Sequence, residues 1–102
     1  MKAARWHGAR DIRIEDIAEP NPGPGQVKIK VHWCGICGSD LHEYLVGPIF
    51  IPVESAHPLT GEKAPVVLGH EFSGEVVALG EGVENFRVGD RVAVEPIVAC
   101  GV

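Results

Sequence analysis

From Val27 onward apolar and polar side chains alternate, with Val27, Ile29, Val31 and Trp33 set against Lys28, Lys30 and His32. A period of two over this length predicts a half-buried β-strand. Met1 to His7 and Asp11 to Ile17, either side of Gly8-Ala9-Arg10, predict a hairpin or a pair of strands, the second alternating through Ile12 and Ile14. Between them and the long strand, Glu19-Pro20-Asn21-Pro22-Gly23-Pro24-Gly25 predicts a stiff surface turn, because each proline fixes φ and removes a ladder donor. Gly35 and Gly38 then loosen the backbone, and Ser39-Asp40-Leu41-His42-Glu43-Tyr44 predicts an N-cap and a short helical turn. Residues 47–63 hold three prolines and two glycines without sustained periodicity, which predicts a long loop of the kind that lies over a site. Val66 to Leu68, Phe72 to Leu79 and Arg91 to Ile97 are short and β-branched, punctuated by Gly80-Glu81-Gly82 and Gly89-Asp90. Many short strands with little helix predict a mainly β fold, a small barrel or sandwich.

Composition narrows the function classes. A chain of 102 residues is sufficient for one domain with a modest core. Nine basic against fourteen acidic residues, a formal charge of −5, argues against a nucleic-acid surface. No apolar run approaches the roughly 20 residues of a membrane span, and Pro48 and Pro52 interrupt Tyr44 to Val53, so no membrane association is expected. Met1 to Gly8 is not followed by an apolar stretch of signal-peptide length, which points to a cytoplasmic protein. In a reducing compartment the odd set Cys34, Cys37 and Cys100 indicates metal or redox chemistry rather than disulfides.

Trp33-Cys34-Gly35-Ile36-Cys37 resembles the thioredoxin active site, with Ile36 where thioredoxins usually carry proline. Thioredoxin-like folds require βαβ units, however, and only one short helix is predicted here. Closure of zinc by four thiolates is impossible with Cys100 as the only other cysteine. An open zinc site needs only about three protein ligands, and Cys37, His70 and Glu71 offer a thiolate, an imidazole and a carboxylate. His7, His32 and His57 are isolated and read as surface or loop residues, and Cys34 reads as a small buried hydrophobe beside the site. Taken alone, Ser39 and Asp40 would be helix caps. Gly80-Glu81-Gly82-Val83-Glu84-Asn85 begins like a dinucleotide fingerprint but ends on Asn85 with no helix to follow, so no cofactor-binding residue is assigned.

Gly35-Ile36-Cys37-Gly38-Ser39-Asp40-Leu41-His42, followed by Gly69-His70-Glu71-Phe72-Ser73-Gly74 and then Gly80 and Val83, resembles the zinc-containing medium-chain alcohol and polyol dehydrogenases. Lys2-Ala3-Ala4, Pro22-Gly23-Pro24-Gly25-Gln26-Val27 and Val88-Gly89-Asp90-Arg91-Val92 extend the likeness over nearly the whole chain, and the loop from Gly47-Pro48 to Thr60-Gly61 is most similar to the 2,3-butanediol dehydrogenase branch. The resemblance implies a GroES-like, partly open antiparallel β-barrel with short helices over residues 1–102, truncated where a structural zinc lobe opens at Cys100 and lacking the family's Rossmann domain. It implies Cys37 and His70 as zinc ligands, with Glu71 in or beside the ligand set, the third ligand otherwise coming from a glutamate beyond residue 102. Consecutive strand side chains face opposite ways, so His70 and Glu71 can both ligate only if the backbone bends there. It implies Asp40 as the carboxylate that orients a ligand histidine, and Ser39 and His42 as a proton relay. The implied reaction is hydride transfer between a small secondary alcohol, diol or ketone and NAD(H) or NADP(H), in a homo-oligomeric parent enzyme, the fragment alone being inactive. Two other classes compete: a non-catalytic GroES-like binding module, and quinone-reductase relatives without zinc, neither of which has reason to hold Cys37, Ser39, Asp40, His70 and Glu71 together.

Overall fold

The computed structural model describes residues 1–96, so Ile97 and Cys100 lie outside the described residues. The fold is mainly β, with one helix and two three-stranded antiparallel sheets. The chain forms two compact units, Met1–Ala18 with Ile36–Gly69, and Glu19–Gly35 with the chain from His70 onward.

In the first unit β1 (Lys2–Gly8) and β2 (Asp11–Asp16) form the expected hairpin, and β4 (Val66–Val67) joins the other edge of β1, giving the order β2-β1-β4. β1 buries Trp6 completely, and its indole N–H donates to the main-chain oxygen of Glu43 at 3.2 Å. That oxygen belongs to α1 (Gly38–Val46), which is further tied to the hairpin by the Arg10 N–H donating to the Tyr44 carbonyl at 2.5 Å. The helix is longer than the sequence suggests and starts earlier. Its N-cap is Cys37, not Ser39, with extended backbone at φ −84° and ψ 154°. Asp40, in the first turn, accepts the Cys37 N–H at 3.1 Å, satisfying one of the donors exposed at that end and placing negative charge at the positive pole of the helix.

In the second unit β3 (Val27–Gly35) pairs with β5 (Glu71–Leu79), and β6 (Arg91–Ala93) pairs with the other side of β5, giving the order β3-β5-β6. Val76 is its fully buried centre. The proline-rich turn is pinned by the Gly25 N–H donating to the Glu81 carbonyl at 2.8 Å and the Gly80 N–H donating to the Gln26 carbonyl at 2.7 Å. The alternation along β3 does not translate into a continuous buried face: Val31 is 51% and Trp33 79% exposed. Register irregularities between Lys28 and Ile29 and between Val31 and Trp33 interrupt the ladder, and a period of two carries a face only while the register holds. Among the described residues no helix is long and apolar enough to cross a membrane.

Candidate metal centre

The site is built around the paired ends of β3 and β5. Gly35, the last residue of β3, is paired with Glu71, the first of β5, and Cys37 follows two residues later. Consecutive Cα atoms are about 3.8 Å apart, so this pairing alone keeps the Cys37 backbone within about 8 Å of Gly35. A side chain on Gly35 would lie 3.4 Å from a Glu71 carboxylate oxygen; glycine leaves that room to the carboxylate. Gly69 adopts φ 109°, a conformation that side chains other than hydrogen resist, and turns the chain immediately before His70. His70 therefore stands outside the strand while Glu71 begins it, which supplies the bend that two neighbouring ligands require.

One ligand atom from each of Cys37, His70 and Glu71 lies within 4.8 Å of the others. Tetrahedral zinc with bonds of about 2.0–2.3 Å needs ligand separations of about 3.3–3.8 Å, so contraction by roughly 1 Å would close the three around one ion. Cys37 and His70 are half-buried and Glu71 is exposed. A thiolate, an imidazole and a carboxylate suit zinc, and three protein donors leave a fourth position for an outside oxygen. The residues present thus fit the metal.

Ser39 is half-buried and His42 exposed, three residues apart on α1 and hence on one face of the helix. Cys34 departs from its expected burial. It is exposed, and its Sγ lies 3.6 Å from the carbonyl oxygen of the adjacent Gly35. It sits on the strand, whereas Cys37 lies at the strand-to-helix corner, so the two thiols of the C-x-x-C pair occupy different environments. His57 is a loop residue whose Nδ1 accepts the Leu59 N–H at 3.1 Å, and His7 pairs with Glu15. The residue that sequence reasoning missed is Glu43, only 4% exposed on α1. An acidic residue in a short polar helix reads as solvated; the one hint was the Gly47-Pro48 break and apolar Ile49-Phe50-Ile51 that follow it.

Residues 23–102 match the family model of the alcohol dehydrogenase GroES-like domain. The (R,R)-butanediol dehydrogenase of Bacillus subtilis is 76% identical over 99 residues, covering 97% of this chain and 29% of that protein. A sorbitol dehydrogenase of the same organism is 48% identical over 101 residues, covering 99% of this chain and 26% of that protein. The crystal structure of 2R,3R-butanediol dehydrogenase from Bacillus subtilis superposes with a TM-score of 0.93 at 75% identity, over 97% of this chain and 28% of that one. The chain therefore spans under a third of the length of these relatives.

Proposed function

This chain belongs to the zinc-containing medium-chain alcohol dehydrogenase family, through its GroES-like domain, and we propose that it is the amino-terminal zinc-binding part of an enzyme that interconverts a small diol or secondary alcohol and its ketone. The observation that carries this reading is the convergence of Cys37, His70 and Glu71 within 4.8 Å. Bound there, zinc supplies Lewis acidity, a lowering of hydroxyl pKa of the kind that takes water from 15.7 to about 7, on the order of 12 kcal/mol.

The protein's own groups do the rest. The Cys37 sulfur is held at the N-cap of α1. Asp40 fixes the backbone of that residue by accepting the Cys37 N–H, and in this reading its carboxylate also orients the ligand imidazole. The substrate carbon gives up a hydride, with its electron pair, to a nicotinamide cofactor, NAD(H) or NADP(H), held by protein outside these 102 residues. The hydroxyl proton leaves through the Ser39 Oγ to His42, whose exposure on the same helix face gives it access to water. Without the cofactor-binding part, residues 1–102 catalyse no alcohol oxidation. Similarity to butanediol dehydrogenases, one of them a 2R,3R-butanediol dehydrogenase, and to a probable acetoin-forming diacetyl reductase of Saccharomyces cerevisiae supports a 2,3-diol or acetoin as substrate. The working enzyme is a cytoplasmic homo-oligomer.

Two measurements test this. Metal analysis of the purified full-length gene product should find one zinc lost when Cys37 is changed to Ala, and the wild type should oxidise 2,3-butanediol with a nicotinamide cofactor. Zinc content unchanged by that substitution removes the metal assignment. Absence of both metal and turnover in the wild type would favour a non-catalytic GroES-like binding module.

A further inference from the structure

His57 has no part in the reaction just described, yet it closes a turn on itself. Its Nδ1 accepts two main-chain N–H groups, Leu59 at 3.1 Å and Thr60 at 3.4 Å. Its own N–H donates to the Glu62 carbonyl at 2.8 Å, and its carbonyl accepts the Gly61 N–H at 2.8 Å. Pro58 fixes φ at the next position, and Gly61 takes φ 73°, a reversal that glycine makes without strain. The Ala64 N–H donates to the Pro52 carbonyl at 2.8 Å and closes the neck of the loop. Bonding of a side chain to the main chain two residues ahead is the device of asparagine and aspartate turns; here an imidazole supplies the acceptor.

An imidazole differs from an asparagine in that it titrates. A ring nitrogen accepts hydrogen bonds only through a lone pair, so the ring that holds this turn is the neutral tautomer with its proton on Nε2. A histidine gains its second ring proton between about pH 8 and about pH 5, and that proton would stand on Nδ1 against two N–H donors, so both bonds are lost. The other titratable groups of the loop, Glu54, Glu62 and Lys63, are exposed, and from β1 and β2 Arg5 and Asp16 line a recess with Glu62. Carboxylates, amines and guanidinium groups ordinarily change charge outside that window, so among these groups His57 is the one that switches within it. Glu62, held by the turn, lines both recesses formed against Val66 and Val67 of β4, so the state of the turn decides where that carboxylate stands.

We propose that His57 is a pH-sensitive catch built into the loop between α1 and β4. Neutral, its Nδ1 holds the turn of residues 57–62 closed; protonated, it releases the Leu59 and Thr60 N–H groups and the turn opens. The inference stands on the hydrogen bonds of the loop and is independent of the dehydrogenase reading.

The test follows the ring nitrogens and main-chain amides of the full-length gene product, labelled with nitrogen-15, from about pH 8 to about pH 5 by magnetic resonance. At the upper end the His57 ring should show an unprotonated Nδ1. Protection of the Leu59 and Thr60 amides, taken relative to intrinsic exchange at each pH, should fall by about tenfold or more as Nδ1 takes up its proton, with β3 and β5 unchanged. His57→Asn, an acceptor that does not titrate, should keep the turn closed over the whole range. His57→Phe, a ring without an acceptor, should leave it open over the same range. Near-UV dichroism of the buried Trp6 verifies that each variant is folded, and the wild-type titration decides the matter if a variant does not fold. Protection that stays constant while the ring protonates overturns the proposal. So does a fall equally steep in His57→Asn, which assigns the opening to another group of the loop, or wild-type protection in His57→Phe.

Discussion

The two thiols of the C-x-x-C pair should behave oppositely toward zinc. Cys37 contributes one of three ligand atoms lying within 4.8 Å of one another, whereas Cys34 is exposed on β3 beside the Gly35 carbonyl. Zinc bound by four protein ligands gains about 10–16 kcal/mol in small folded sites, or roughly 2.5–4 kcal/mol per ligand. Water replacing the lost thiolate recovers part of this, leaving on the order of 3 kcal/mol, so Cys37→Ala should weaken zinc binding by about a hundredfold or more. Cys34→Ala should leave the affinity within about threefold, since it removes no ligand. Competition against a chromophoric chelator gives both constants. Cobalt substitution adds a second readout, because the thiolate-to-cobalt charge-transfer band should vanish in Cys37→Ala and persist in Cys34→Ala. Near-UV dichroism from the buried Trp6 verifies that each variant is folded. Equal losses for the two variants would mean that both sulfurs hold the metal, and a persistent band without Cys37 would refute the site.

The two tryptophans should differ as sharply: Trp6→Phe is expected to cost about 1–3 kcal/mol in urea unfolding, through a lost hydrogen bond and a void, and Trp33→Phe less than about 0.5 kcal/mol. Gly47→Ala should destabilise by about 1–3 kcal/mol through overlap with Glu43 and Trp6, while Gly38→Ala, a helical position whose Cβ would meet open space, should be neutral or stabilising by up to about 1 kcal/mol in the same assay. The carboxyl of Glu15 is held below its ordinary value chiefly by its hydrogen bond with His7, and that of Asp11 by its hydrogen bond with Arg13. Both favour the charged form in the folded chain, so their stabilisation is present above the unfolded carboxylate pKa values near 3.8 and 4.5 and is lost as the pH falls through the lower folded ones. Acid unfolding followed by circular dichroism should accordingly be less steep in the Asp11→Asn, Glu15→Gln double variant than in the wild type; superimposable curves would contradict this.

The elements were largely legible because their causes are local. Alternation marked the long strand, Gly8-Ala9-Arg10 marked the hairpin, and the two glycine-bearing motifs carried the family likeness together with its candidate ligands. The same local reading misjudged the helix start: a serine is the usual cap, but the carboxylate three residues past Cys37 reaches back to its N–H, and that geometry set the cap two residues earlier. Burial was the weaker inference. Cys34, Val31 and Trp33 are exposed although their residue types and spacing suggested otherwise.

The order of residues along the chain determined which donors exist, a thiol, an imidazole and a carboxylate, and which turns could separate them. Only the folded chain decided that Gly35 pairs with Glu71 across some thirty-six positions, that Gly69 turns His70 out of the strand, and that Glu43 lies buried beneath its own loop. The physical reason is that propensity and period are properties of a few neighbouring residues. Register between distant strands and the satisfaction of a buried charge depend on groups that meet only after the chain has closed on itself.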